Sequence, residues 1–374
     1  MRPLRVCQLL TELGPAGAER CVYELSRRLD RGRFDTHVVA LRGGAVEQWL
    51  LRAGVGVTVL GVRGKCDVGK LARLVELLRW RQFDILHTHL FHADLAGRAA
   101  AWLAAVPHLV HTVHTAEARF RPWQFAAARL LADRCDRVVA VSASTRDFHA
   151  RRSGLPISRY TVIPNGVDAA AFARSDDDRR LLRGRWGLAE GQVLCAYVGR
   201  LDFEKGVDVL LSAASHLASR GQPIELVVAG DGRRRGLVEN FMEHGEGGRR
   251  CRYLGFVQDI RGVLSAADLL VMPSRWEGFG LAAAEAMACS LPVVASDVPG
   301  LRDVVVHGET GLLVAPADAI ALADAIERLS GDAKMRSGMG RAGRKRVVKH
   351  YPIQAVIEAH QELYLSLAAD RLGE

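Results

Sequence analysis

The chain has 374 residues, 49% hydrophobic and 25% charged, with a formal net charge of +9. This is ordinary globular composition; it excludes a disordered chain, a collagen-like repeat and a coiled-coil rod, and the length suits two domains with cores of their own. The charge is uneven: residues 1–190 carry 30 Lys and Arg against 19 Asp and Glu, and residues 191–374 carry 21 against 23, so a field that attracts phosphates or acidic headgroups belongs to the first half.

Short apolar runs alternate with helical patterns from the start. Val6–Leu10 reads as a strand, Glu19–Leu29 as a helix, and His37–Leu41, Val57–Leu60, Ile85–His89, Leu109–Val113, Val138–Val141 and Thr161–Ile163 as further strands. Helices are predicted between them at Val46–Arg52, Val68–Arg81, Asp94–Ala105, Trp123–Ala132 and Ser144–Arg152. Near-continuous apolar strands spaced by helices predict a parallel sheet covered on both faces. Residues 169–191 are charged and poor in strand signal, and read as the connection between domains. The alternation then restarts, with strands at Val193–Val198, Ile224–Ala229, Tyr253–Leu254, Leu269–Met272 and Val293–Ala295. Helices follow at Val207–Ser219, Arg233–His244, Gly262–Ala267, Leu281–Ala288, Ala317–Leu329 and Ile353–Leu372. The expected fold is α/β, two Rossmann-like doubly wound domains facing across a cleft, where ligands bind at the carboxyl ends of the strands.

The longest apolar stretch, Ala99–Val110, is broken by Pro107 and His108 and is too short to span a bilayer. The opening residues lack a signal-peptide pattern. Seven scattered cysteines without CxxC spacing fit free thiols in a reducing compartment. A soluble, cytoplasmic protein is expected.

The sharpest chemical signal is Pro273–Ser296, PSRWEGFGLAAAEAMACSLPVVAS, after the strand Leu269–Met272. Glu277 and Glu285 lie eight apart, with Gly278-Phe279-Gly280 directly after the first and a strongly helical run from Leu281. Glycines let the backbone approach a ligand, and the free N–H groups of a helix start stabilise an anion. Arg200 and Lys205 follow the strand Val193–Val198, and Gly206 opens the next helix. Two cations beside a helix start suit a diphosphate.

Together these segments resemble family 4 glycosyltransferases, retaining enzymes of the GT-B fold, through their E-x7-E motif. YVGRLDFEKGVDVLLSAA (Tyr197–Ala214), LVVAGDG (Leu226–Gly232), LGFV (Leu254–Val257), HGETGLLV (His307–Val314), TVIPNGVD (Thr161–Asp168) and GPAGAER (Gly14–Arg20) extend the resemblance over nearly the whole chain. It implies an acceptor-side domain at 1–185, a nucleotide-sugar domain at 186–350 and a final helix, 351–374, returning to the first domain. It also implies transfer of a sugar from a UDP-, GDP- or ADP-sugar to a glycan, lipid-linked or small-molecule acceptor, with no cofactor and no obligate metal. By the same resemblance Arg200, Lys205, Glu277 and His114 are the catalytic candidates. Gly17, Gly199, Gly278, Phe279, Gly280, Leu281 and Glu285 are the donor-binding ones, Glu285 on the nucleotide ribose.

Other patterns carry less. His87, His89, His92, His108, His111 and His114 cluster at strand ends, but His111 and His114 point to opposite faces, which does not suit converging zinc ligands. Gly230–Gly236 misses the dinucleotide spacing by one residue. Ser175–Arg180 contains Asp-x-Asp but follows no strand, and reads as solvated linker. Arg119, Phe120, Arg121, Trp123 and Phe125 interleave charge and aromatics beside a helix, a pattern that fits contact with an anionic membrane surface. A sugar-nucleotide epimerase of the same fold, or a basic nucleic-acid binder, is the alternative; no nucleic-acid motif is present, and no nucleic-acid partner is expected.

Overall fold

The computed structural model describes residues 2–64, 67–116, 121–222 and 224–370. They fall into two units, Met1–Asn165 with Gln354–Glu374, and Gly166–Ile353. The first is built on β1 (Leu4–Glu12), β2 (Phe34–Arg42), β3 (Gly56–Val59), β4 (Ile85–His89), β5 (His108–Val113), β6 (Arg137–Ala140) and β7 (Tyr160–Val162), in the order β3-β2-β1-β4-β5-β6-β7. The second holds β8 (Val193–Val198), β9 (Ile224–Ala229), β10 (Cys251–Gly255), β11 (Leu269–Met272), β12 (Val293–Ser296) and β13 (Gly311–Val314), ordered β10-β9-β8-β11-β12-β13. Every strand pair is parallel. These are two doubly wound sheets, as the alternation predicts, and each reverses its winding once.

The strands are apolar throughout because helices cover both faces. Val6, Cys7, Leu9 and Leu10 of β1 are all fully buried, as are Leu269, Leu270 and Val271 of β11. Local chemistry sets several helix starts: Asp67 accepts from the Lys70 N–H, Ser142 from Thr145 and Asp318 from Ala321, each satisfying one orphan donor of a first turn. The winding reverses between β1 and β4 in one sheet and between β8 and β11 in the other. Ligands of open parallel sheets bind at such switch points, outside the carboxyl ends of the strands.

The division falls at 165/166 rather than at the expected 185/186. The charged stretch is not a linker: Asp176–Arg185 is a helix capped by Ser175, and it is pinned to the second unit. Arg179 donates to the carbonyls of Ala266 (2.8 Å) and Ala267 (2.9 Å) and to Asp268 (2.7 Å), and Arg183 to Asp268 (3.0 Å). The Asp-x-Asp segment is therefore the first turn of this helix. The helix Ala333–His350 and the edge strand β13 are further elements that the pattern reading does not predict.

The C-terminal helix, Ile353–Asp370, belongs to the first unit from Gln354 onward. The buried Tyr364 hydroxyl accepts from Gln8 Nε2 (3.0 Å) and meets His87 Nδ1 (2.6 Å). No helix among the described residues is long and apolar enough to cross a membrane.

Candidate active site

In the second unit the strand order brings two separate motifs side by side. β8 and β11 are neighbours, so the loop after β8, with Arg200 and Lys205, and the loop after β11, with Glu277, leave the sheet together at the switch point. Lys205 Nζ donates to Glu277 Oε1. Ser274 Oγ donates to the same oxygen at 3.0 Å, and Glu277 is 8% exposed. The carboxylate is thus held by a cation and a hydroxyl, while the ammonium has donors to spare.

Arg200 is steadied from below: Nη1 donates to Asp202 (3.1 Å) and Nη2 to Glu204 (2.8 Å), while half of its side chain stays exposed. Arg233 Nε also meets Asp202, at 3.1 Å. Burial alone would raise the Asp202 pKa, but the Arg233 and Arg200 contacts outweigh it and hold the carboxyl below its ordinary range. Beneath the loop, burial and then the charge of Glu277 push the Tyr197 phenol well above its usual pKa. Its hydroxyl donates to the Arg200 carbonyl at 2.8 Å, which fixes the backbone that carries the cation.

Close backbone approach sets the shape of both loops. Gly206 has φ +67°, and a Cβ there would lie 1.9 Å from the Pro273 carbonyl oxygen; this is where the β8 loop crosses the β11 loop. Gly280, at φ +87°, caps the helix Leu281–Ala288, with no side-chain cap on its first N–H groups. Phe279 is buried edge-on against Tyr351, 5.1 Å between ring centroids. Glu285 lies in that helix and is 2% exposed. The second unit therefore collects Gly199, Arg200, Lys205, Glu277, Gly278, Phe279, Gly280, Leu281 and Glu285 on the loops and helix around one switch point. This offers cations and the backbone N–H groups of a helix start to an anion, and carboxylates to hydroxyl groups.

Gly17 and His114 belong to the first unit. Gly17 is the exposed first residue of the helix Gly17–Arg28, whose N-cap, Ala16, supplies no side-chain bond. His114 follows β5 and ends a buried hydrogen-bonded series. Its Nε2 meets His89 Nδ1 (2.9 Å), His89 Nε2 meets Gln8 Oε1 (2.7 Å), and the series passes through Tyr364 and His87 to Thr112 Oγ1 (2.6 Å). One proton order satisfies every member. His89 donates through Nε2 to the Gln8 oxygen, so its Nδ1 accepts from His114 Nε2–H, and His114 presents Nδ1 as an acceptor. Burial lowers the His114 pKa to about 3 and that of His89 well below the ordinary value, so both rings stay neutral. His111 turns the other way, to Thr88 (3.0 Å) and Asp94 (3.3 Å).

The site residues not anticipated from sequence are supports. Ser274, Asp202 and Glu204 sit within four residues of a predicted member, a spacing that could have flagged them. Gln8 and Tyr364 reach their histidines only through strand pairing and the last helix, and carry no local signal.

Two family models match the chain: "Glycosyltransferase Family 4" over residues 15–171 and "Glycosyl transferases group 1" over residues 178–346. Glycogen synthase of Mycobacterium tuberculosis is 31% identical over 336 residues, covering 87% of this chain and 77% of that protein. The chain belongs to the group 1 glycosyl transferases. The Escherichia coli UDP-Gal:alpha-D-GlcNAc-diphosphoundecaprenol alpha-1,3-galactosyltransferase is 26% identical over 369 residues, 95% of either chain. Anabaena HepE in complex with UDP-glucose superposes with a TM-score of 0.88 at 24% identity, covering 97% of this chain and 100% of that one. That likeness shows the GT-B type of fold. The expected class, a nucleotide-sugar-dependent glycosyltransferase, stands, and the epimerase and nucleic-acid readings are set aside. Arg119 and Phe120 of the proposed membrane-contact segment lie outside the described residues.

Proposed function

We propose that this glycosyltransferase binds the diphosphate of its sugar donor at the β8/β11 switch point and transfers the sugar with retention of configuration. The observation that carries the reading is the meeting of Lys205 with Glu277 beside the uncapped helix start at Gly280. As the bond between the anomeric carbon and the diphosphate oxygen breaks and one to an acceptor hydroxyl oxygen forms, negative charge grows on the leaving diphosphate, which takes up the acceptor's proton. Arg200 and Lys205 stabilise that charge from fixed positions, a large term in such reactions. Glu277 accepts from hydroxyls of the transferred sugar, Glu285 from the ribose, and neutral His114 accepts through Nδ1 from a donor-sugar hydroxyl. Gly17 and the backbone of Gly199 and of Gly278–Leu281 give the donor close approach. No resident metal is required, because the two cations neutralise the diphosphate; EDTA is expected to leave turnover unchanged.

The acceptor is read as a glycan or a lipid-linked sugar held by the basic first unit, with peripheral attachment to an anionic membrane. The lipid-linked substrate in the name of the E. coli relative, matched along 95% of both chains, supports this reading. So does the HepE complex with UDP-glucose for a uridine donor. Thermal unfolding with UDP, GDP and ADP and their glucose conjugates tests the donor. A ligand at a hundred times its Kd that binds only the folded state adds about 2.7 kcal/mol. A shift with one base that is lost in Lys205→Ala is expected; no shift with any, in folded protein, overturns the reading.

A further inference from the structure

The first unit contains a concavity that none of the candidate catalytic or donor-binding residues lines. It has a volume of about 790 Å³ and lies between the helices Val68–Arg81 and Phe91–Ala104, past the ends of β1, β2 and β3. That is within the range of pockets that enclose a small molecule. Its floor is apolar: Leu60 and Leu74 come from the buried core, and Leu41, Val62, Leu71 and Ala96 complete it. Its rim is basic. Arg42, Arg63, Lys70 and Arg134 line it, and the one carboxylate among the described residues that line it is Asp67, which caps the helix by accepting from the Lys70 N–H. Arg42 meets Glu12 at 3.3 Å and Arg134 lies over Trp102, 5.3 Å from its ring centre. Arg63 and Lys70 form no ion pair among the described residues. Apolar surface continues outward from the rim through Val68 and Trp102, 74% and 61% exposed.

An apolar floor leaves the hydroxyls of a sugar without hydrogen-bond partners, and four rim cations repel a cationic lipid and gain nothing from a neutral one. An anionic headgroup meets the rim while a hydrocarbon chain removes the floor from water. A concave site takes one chain withdrawn from the bilayer, whereas a bilayer surface needs a convex apolar face. We propose that this pocket seats the phosphate and the first part of the hydrocarbon tail of a single-chain lipid phosphate, the carrier of the acceptor sugar. The proposal rests on the reading of the first unit as the acceptor side.

The test uses the full chain and farnesyl phosphate kept monomeric, followed by tryptophan fluorescence, with farnesol and inorganic phosphate as the tail-only and head-only probes. Farnesyl phosphate is expected to bind at least tenfold more tightly than either. Ala96→Trp fills the floor and should abolish that binding. Arg63→Glu with Lys70→Glu should weaken it at least tenfold and flatten its salt dependence. Each variant should keep the wild-type thermal shift with the donor nucleotide, which certifies the fold. Equal binding of the three probes, or undiminished binding by folded Ala96→Trp, overturns the proposal. So does retention only on anionic vesicles, with no binding of the monomeric probe. Donor binding without farnesyl phosphate binding defeats this inference alone; loss of both in the wild type defeats the donor-site reading.

Discussion

Lys205 and Glu277 are 72 positions apart, yet one salt bridge joins them. Each can be removed without opening the core, since both are held on loops at the strand ends. Lys205→Ala and Glu277→Ala are therefore expected to fold, with unchanged far-ultraviolet circular dichroism, and to lose about 10²–10³ in kcat, the usual cost of deleting a preorganised charge or donor. Full activity in both would show that the roles lie elsewhere. Gly206 is a different kind of residue. Any side chain there meets the Pro273 carbonyl at 1.9 Å in a left-handed backbone, so strain and steric overlap add. Gly206→Ala is expected to cost about 3 kcal/mol or more, read as a lowered denaturation midpoint. A midpoint within experimental error of wild type would mean that the loop crossing relaxes freely.

At the scale of elements, the last helix is tied in by one buried hydroxyl. Tyr364→Phe keeps the shape and the edge-on contact with Phe34, 6.0 Å between centroids. It leaves Gln8 Nε2 and His87 Nδ1 without their partner. A buried polar group left unpaired costs about 1–3 kcal/mol, so urea denaturation should show a loss of that order, with more for Tyr364→Ala through the added cavity. An unchanged midpoint for Tyr364→Phe would show that water replaces the hydroxyl. The helix Ala333–His350 shows how packing hides an element from sequence. Gly338, Gly340 and Gly343 depress its helical signal. At Gly340 a Cβ would lie 2.0 Å from the Ser290 carbonyl oxygen, and at Gly343 3.1 Å from Met287. Close seating on the turn after the helix Leu281–Ala288 requires glycine at 340, and only the partner surface reveals it.

At the scale of the whole molecule, the first unit carries a store of neutral buried histidines. Burial lowers His37, His149 and His360 to about 4 and His114 to about 3, and holds His87 and His89 well below the ordinary value. The unfolded chain binds these protons near pH 6.5 and the folded chain does not. Stability is therefore full above about pH 6.5 and falls as the pH drops from there toward 4. Urea midpoints at pH 7.5, 6 and 5 should decline in that order, and His360→Gln should flatten the decline. A level profile between pH 7.5 and 5 would mean that the histidines are hydrated.

Much of this architecture was legible in the residues themselves. Strands such as Ile85–His89, Val193–Val198 and Leu269–Met272 stand where their apolar runs predict, because a strand buried on both faces must be apolar along its length. The motif after β11 was legible because it is local: a Gly-Phe-Gly turn, a helix start and two carboxylates lie within nine residues. What sequence left open depends on neighbours distant in the chain. The division at 165/166 follows from arginines reaching the carbonyls of Ala266 and Ala267. The proton order that leaves His114 an acceptor follows from Gln8 and Tyr364, 356 positions apart. The basic-rimmed pocket follows from two helices and three strand ends. Periodicity records which face of an element is buried, and it carries no information about which partner buries it; the sheet order and the packing of the helices supplied that.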